Sequence, residues 1–126
     1  MEEGCASPPP LVMIVEDSAV VALDLEFTLL DAGYRVLGPA PTLARGLELL
    51  LTARPDFAVL DFDLGGEPVT SIALRLRAMR VPFVLASAHP KLDDDGAAAA
   101  LRGVTNLGKP LRHRALLDTI AAAVRQ

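Results

Sequence analysis

Two short apolar runs that end abruptly in acid constrain this 126-residue chain more than any other feature. Leu11–Val15 stops at Glu16-Asp17, and Phe57–Leu60 stops at Asp61. The first run is continuous rather than alternating and rich in β-branched residues. That is the pattern of a strand covered on both faces, as in a parallel sheet. A strand so buried can turn polar only where it leaves the sheet, so the acids mark strand ends.

The rest of the chain alternates in the same way. After Glu16-Asp17-Ser18 comes a helical pattern in which Val20, Leu23, Phe27 and Leu30 recur at helical spacing, with Gly33 as its C-terminal cap. Tyr34–Leu37 reads as a second strand punctuated by Gly38-Pro39. Thr42 can cap a second helix with Leu43, Leu47, Leu50 and Leu51 on one face, closed by Arg54-Pro55-Asp56. Phe57–Leu60 is the third strand, and Gly65-Gly66 makes a turn. Pro68 suits the first turn of a third helix running to about Met79. Val81–Ala86 is a fourth strand, Asp93–Leu101 an Ala-rich helix and Val104–Leu107 a fifth strand ended by Gly108-Lys109-Pro110. The last helix carries Leu116, Leu117, Ile120 and Val124 on one face.

Five strands alternating with five helices predict an α/β fold: a five-stranded parallel sheet, order 2-1-3-4-5, in a flavodoxin-like (βα)5 sandwich. Right-handed crossovers then put helices on both faces. Residues 1–10 end in three prolines and read as a flexible tail, with the domain proper over 11–126. Hydrophobic residues make up 52% of the chain but aromatics only 4%, so the core must be built from Leu, Val, Ile and Ala. The net charge of −4 and the absence of a basic stripe argue against a nucleic-acid binder. No apolar run reaches the roughly 20 residues of a membrane span, and the acidic start is unlike a signal peptide. With one cysteine, Cys5, no internal disulfide can form. The expected location is the cytoplasm.

In a parallel sheet the ends of the strands share one edge. Strand one ends in Glu16-Asp17, strand three in Asp61, strand four in Ser87 and strand five in Lys109. Ligands bind at this edge where the strand order reverses, which falls between strands one and three. Three carboxylates gathered there repel one another, and a hard divalent cation with oxygen ligands relieves the conflict. Mg²⁺ (or Mn²⁺) is apt because it uses few carboxylates together with water and phosphate oxygens. Glu16, Asp17 and Asp61 are therefore candidate metal ligands, and one acid can also be a nucleophile toward phosphorus. Lys109 can stabilise charge on the transferring oxygens, and Ser87 can donate a hydrogen bond to one. Each residue alone has a plainer reading, as a helix cap, turn former or surface lysine. Their arrangement on one edge is what is specific.

These residues resemble the receiver domain of two-component response regulators. The likeness rests on Val15-Glu16-Asp17, Val59-Leu60-Asp61-Phe62-Asp63-Leu64, Pro82–Ala88 and Lys109-Pro110, in that order. It implies that Asp61 is the phosphoacceptor and that Glu16, Asp17, Asp61 and the backbone carbonyl of Asp63 hold the metal. It also implies that Ser87 is the switch hydroxyl and Lys109 the phosphoryl contact. The family's donors are sensor histidine kinases or histidine phosphotransfer proteins, and its catalysis is limited to self-phosphorylation and autodephosphorylation. Asn106 departs from the aromatic residue often found at its position, and Asp63 and His89 occupy two variable positions that influence phosphoryl lifetime in the family. Signalling would run through protein–protein contact, with no nucleic acid or membrane and with a homodimer through the last helices as an analogy. Two other readings are a phosphorylation-independent interaction module and a haloacid-dehalogenase-type phosphohydrolase. The latter places its Asp-x-Asp motif on the first strand, whereas here it follows the third.

Overall fold

The computed structural model describes residues 9–61, 63–64, 67–68, 70–86 and 112–124. In chain order these form β1 (Leu11–Val15), α1 (Ala19–Asp31), β2 (Arg35–Ala40), α2 (Leu43–Leu50), β3 (Phe57–Asp61), β4 (Asp63–Leu64), β5 (Glu67–Pro68), α3 (Thr70–Ala78), β6 (Phe83–Ala86) and α4 (His113–Val124). Strands β2-β1-β3-β6 make one sheet in that order, and each of its pairings is parallel. This is the first four-strand portion of the expected 2-1-3-4-5 order. The expected fifth strand, Val104–Leu107, and the helix over Asp93–Leu101 lie outside the described residues.

Alternation along the strands builds two cores. Met13, Val15, Ala58, Leu60 and Leu85 point to one face, where Leu50 of α2 and Ile72, Ala73 and Leu76 of α3 cover them. Val12, Ile14, Phe57, Val59 and Val84 point to the other, against Leu25 and Leu29 of α1 and Leu116 and Ile120 of α4. Both faces being covered is why the strands carry no polar alternation. The largest fully buried side chain is Phe57 and the rest are aliphatic or Met, as a chain so poor in aromatics requires.

Several local expectations are corrected. The residues that mark α1 as a helix in the sequence are not the ones that pack: Val20, Leu23, Phe27 and Leu30 are 50–80% exposed, and Ala22, Leu25 and Leu29 are buried instead. Both sets recur at helical spacing, so periodicity alone could not choose between them. Strand β2 begins one residue later than expected and continues through Gly38-Pro39 to Ala40. A proline is tolerated there because β2 is an edge strand, and the register with β1 shifts between Met13 and Val15 to absorb it. The Gly38-Pro39 peptide bond is cis. Pro68 does not open α3; it pairs with Asp63 across the short β4–β5 ribbon, and the helix starts at Thr70. Pairing of Leu64 with Glu67 brackets Gly65-Gly66, which are outside the described residues. Leu51 falls past the end of α2 and is exposed. The tail's last two residues are tied down, since Arg35 donates from its backbone to Pro10 O (2.9 Å) and from Nε to Pro9 O (2.8 Å).

The helix ends follow the expected chemistry. Ser18 and Thr42 accept from Val21 N (3.3 Å) and Arg45 N (3.1 Å), capping α1 and α2. Helix α1 closes in a Schellman pattern, with Tyr34 N donating to Leu29 O and Gly33 N to Leu30 O, and Gly33 at φ +94°. Helix α3 ends in the same pattern with Arg80 at φ 62° where glycine would be unstrained. The Arg54 guanidinium secures that end by donating to Met79 O at 2.9 Å.

Candidate metal centre and phosphoacceptor site

Glu16, Asp17 and Asp61 meet at the carboxyl ends of two adjacent strands. Val15 of β1 pairs with Leu60 of β3, so the next residues of each strand, Glu16 and Asp61, emerge side by side. Each of the three carboxylates offers an oxygen, and all three oxygens lie within 4.8 Å of one another. Glu16 and Asp61 are buried, at 2% and 7% exposure, whereas Asp17 is exposed. Two of the acids are thus withdrawn from solvent and the third faces it.

Backbone contacts hold the cluster in place. Glu16 N donates to Ala40 O at 2.9 Å, which ties the end of β1 to the end of β2. Its side chain turns back over the entry to α1, where Oε2 accepts from Ser18 N at 3.2 Å. Ser18 therefore shapes the site twice, capping α1 through its hydroxyl and holding Glu16 through its amide. The donor set is hard oxygen throughout, and its spread suits a small divalent cation that draws carboxylates together around further water or phosphate oxygens. The residues thus fit the metal that the sequence reading calls for.

Of the other expected site residues, Asp63 is described in its backbone only, as the first residue of β4 two positions beyond Asp61. Asp61 pairs with Ala86, the last residue of β6, and Ser87 follows in sequence. Ser87, His89, Asn106 and Lys109 all lie outside the described residues.

The structure adds residues that the sequence reading missed. A cavity of about 260 Å³ adjoins the acids and is lined by Glu16 and Asp17 together with Leu23, Glu26, Pro39 and Pro41. Ala19, Leu23 and Glu26 stand at spacings of four and three, and so share a helix face with the entry to α1. That spacing was the available signal. Pro39 and Pro41 join them only because β2 runs on past Gly38.

No protein-family model matches the chain. Among curated proteins it is similar to the transcriptional regulatory protein PdtaR of Mycobacterium tuberculosis, at 28% identity over 120 residues. That alignment covers 94% of this chain but 58% of PdtaR, so the chain spans under two thirds of the curated relative it matches. Among solved structures it resembles the signal receiver domain of a modulated diguanylate cyclase from Desulfovibrio desulfuricans G20. The TM-score is 0.80 at 28% identity, over 93% of this chain and 94% of that one. The N-terminal domain of a response regulator/sensory box/GGDEF three-domain protein from Carboxydothermus hydrogenoformans gives 0.75 at 27%, over 91% and 94%. A CheY-like receiver domain from Methanospirillum hungatei JF-1 gives 0.79 at 20%, over 90% and 92%, a likeness of fold. Parallel order, acids at the strand ends and these relatives agree: the chain has the fold of CheY-like receiver domains and resembles the receivers of response regulators.

Proposed function

We propose that the chain accepts a phosphoryl group on Asp61 from a histidine kinase or histidine phosphotransfer protein and signals through protein–protein contact. The observation that carries this reading is the convergence of three carboxylates within 4.8 Å at the carboxyl edge, with Asp61 at the end of the central strand β3. An Asp61 oxygen attacks phosphorus, the phosphorus–nitrogen bond of the donor breaks, and the imidazole nitrogen keeps the electron pair. Glu16, Asp17 and Asp61 would hold Mg²⁺ or Mn²⁺, with the Asp63 carbonyl as a further ligand. A bound divalent ion supplies charge stabilisation for the transferring oxygens.

Lys109 and Ser87 are proposed to contact the phosphoryl oxygens. His89 and Asn106 are proposed to modulate its lifetime and the response to it. The added charge, close to two units, shifts the population of the surrounding loops. The whole of 11–126 then acts as one receiver unit in the cytoplasm, alone or as a homodimer.

Intact mass after incubation with acetyl phosphate and Mg²⁺ tests this, with Asp61→Asn alongside. The expected result is a gain of about 80 Da on wild type only, abolished by chelation. Absence of the adduct on wild type, from acetyl phosphate and from a panel of phosphorylated kinases alike, would leave the phosphorylation-independent interaction module.

A further inference from the structure

Arg75, Arg77 and Arg80, in α3 and just after it, take no part in the site at the carboxyl edge. They stand in a stretch, residues 69–92, that holds no acid at all. Helices α2 and α3 lie side by side, so close that a Cβ on Gly46 would meet Ile72 Cδ1 at 2.7 Å. Each helix leads into a strand of one parallel sheet, so both end at the amino edge, where the strands begin. Arg54 bridges those ends: its Nη2 donates to Met79 O at 2.9 Å and to Arg80 O at 3.4 Å. The five residues of β3 set this edge about 16 Å from the acids.

The surface there is basic around an apolar centre. Leu51, just past α2, is 71% exposed, and Leu74 of α3 is 56% exposed. At 100° per residue Leu74 lies between Arg75 and Arg77 on the surface of α3. Arg77 is steadied over the Phe83 ring, 5.8 Å from its centroid. The acids of α2 and of the turn into β3 are already engaged, Glu48 with Arg45 at 2.7 Å and Asp56 with Leu11 N at 2.8 Å. Arg54, Arg75 and Arg80 make no ion pair among the described residues. Arg80 keeps its charge at this end at φ 62°, where glycine would be unstrained. The dipole of α3 favours cations at its end, yet it does not account for leucines exposed among them.

We propose that the amino-edge ends of α2 and α3 dock an acidic amphipathic helix of a partner protein. Its apolar residues cover Leu51 and Leu74, and its carboxylates meet Arg54, Arg75 and Arg80. A nucleic-acid backbone would match the arginines but leave the leucines wet. A second copy of the same surface is a poor occupant, because a symmetric contact sets arginine against arginine. The inference goes beyond phosphoryl acceptance and does not depend on it. Its test therefore omits any phosphoryl donor, so that either idea can fail alone.

The probes are two synthetic 16-residue helical peptides with Leu along one stripe, one bordered by glutamate and one by lysine. They are titrated into ¹⁵N-labelled protein at low salt. The glutamate peptide should shift amides from Leu50 to Arg54 and along α3, and bind at least tenfold more tightly than the lysine peptide. Leu74→Ser should weaken it about tenfold, and Arg75→Glu should abolish the preference. Arg80→Gly should weaken it about threefold while raising the melting temperature, whereas an arginine with a merely structural role would move the melting temperature alone. All three positions are exposed, and unchanged far-UV circular dichroism would confirm that the variants fold. Equal binding of the two peptides, or a preference that survives Arg75→Glu, would overturn the proposal. So would a DNA duplex that shifts the same amides at lower concentration than the glutamate peptide. Sedimentation showing a wild-type dimer that Leu74→Ser abolishes would overturn it too, by giving the surface to a second copy.

Discussion

Replacing Gly38 with alanine should cost far more than replacing Gly33, although the two backbones are almost alike. Gly33 lies at φ +94° and Gly38 at φ +103°, so each alanine takes the left-handed penalty of about 1–2 kcal/mol. Each also recovers about 0.4–1 kcal/mol from a stiffer unfolded chain. These terms nearly cancel between the variants. A Cβ at Gly33 meets nothing within 4 Å, so Gly33→Ala should cost about 1 kcal/mol or less. A Cβ at Gly38 meets Ala40 N at 2.8 Å and Ile14 O at 3.0 Å, both backbone atoms that cannot step aside by changing rotamer. Overpacking of that kind adds about 1–3 kcal/mol, which brings Gly38→Ala to about 2–4 kcal/mol. Against a domain stability of about 5–15 kcal/mol this is a large loss. Urea unfolding followed by far-UV circular dichroism measures both, since the chain has no tryptophan. The strain also has a direction, because Ala40 O accepts from Glu16 N. The Glu16 amide resonance should therefore move in Gly38→Ala and stay put in Gly33→Ala. Equal losses of stability in the two variants would refute the reasoning, because the backbone contact would then count for nothing.

Leu29→Ala should cost about 2–5 kcal/mol because Leu29 is fully buried against the sheet, whereas Leu30→Ala, half-exposed, should fall within about 0.5 kcal/mol; comparable urea midpoints would mean the helix packs by the other stripe. Arg80→Gly relieves a left-handed residue at the end of α3 and should raise stability by about 0.5–1 kcal/mol, read as a higher melting temperature. Mg²⁺ at tenfold over its dissociation constant should stabilise the wild type by about 1.4 kcal/mol, and Asp17→Asn should lose most of that response at the same concentration; an undiminished thermal shift would remove Asp17 from the metal site.

The strands and the acid cluster were legible because one physical fact governs both. A strand buried on two faces has no room for charge until it leaves the sheet, so Glu16-Asp17 and Asp61 announce the ends of β1 and β3. The order β2-β1-β3-β6 then makes those ends neighbours. The cap of α2 was legible for a similar reason, since Thr42 accepts from an amide that has no partner within the helix, whereas the cap of α1 proved to be Ser18 and not the acids before it. The extent of β2 was not legible, because whether Pro39 breaks a strand depends on whether the strand lies at an edge. Pro68 misled likewise: its fixed φ suits a helix start and a short extended ribbon equally, and pairing with Asp63 decides between them.

Helix α1 was legible as a helix, but which of its faces packs was not. Its residues carry two apolar stripes of the same period, Ala22-Leu25-Leu29 and Val20-Leu23-Phe27-Leu30. A helix on a sheet needs one. The sheet takes the narrower stripe, since a small Ala22 lets the start of α1 lie close to the strand ends where Glu16 and Asp17 emerge. The broader stripe is left in water at a cost in solubility that folding alone does not explain. It points outward beside the acids rather than at a random pole, and Leu23 lines the same cavity as Glu16 and Asp17. Those two acids in turn share a cluster with Asp61. The exposed stripe of α1 therefore adjoins the carboxylate cluster at the strand ends, because the helix that carries it starts where β1 stops.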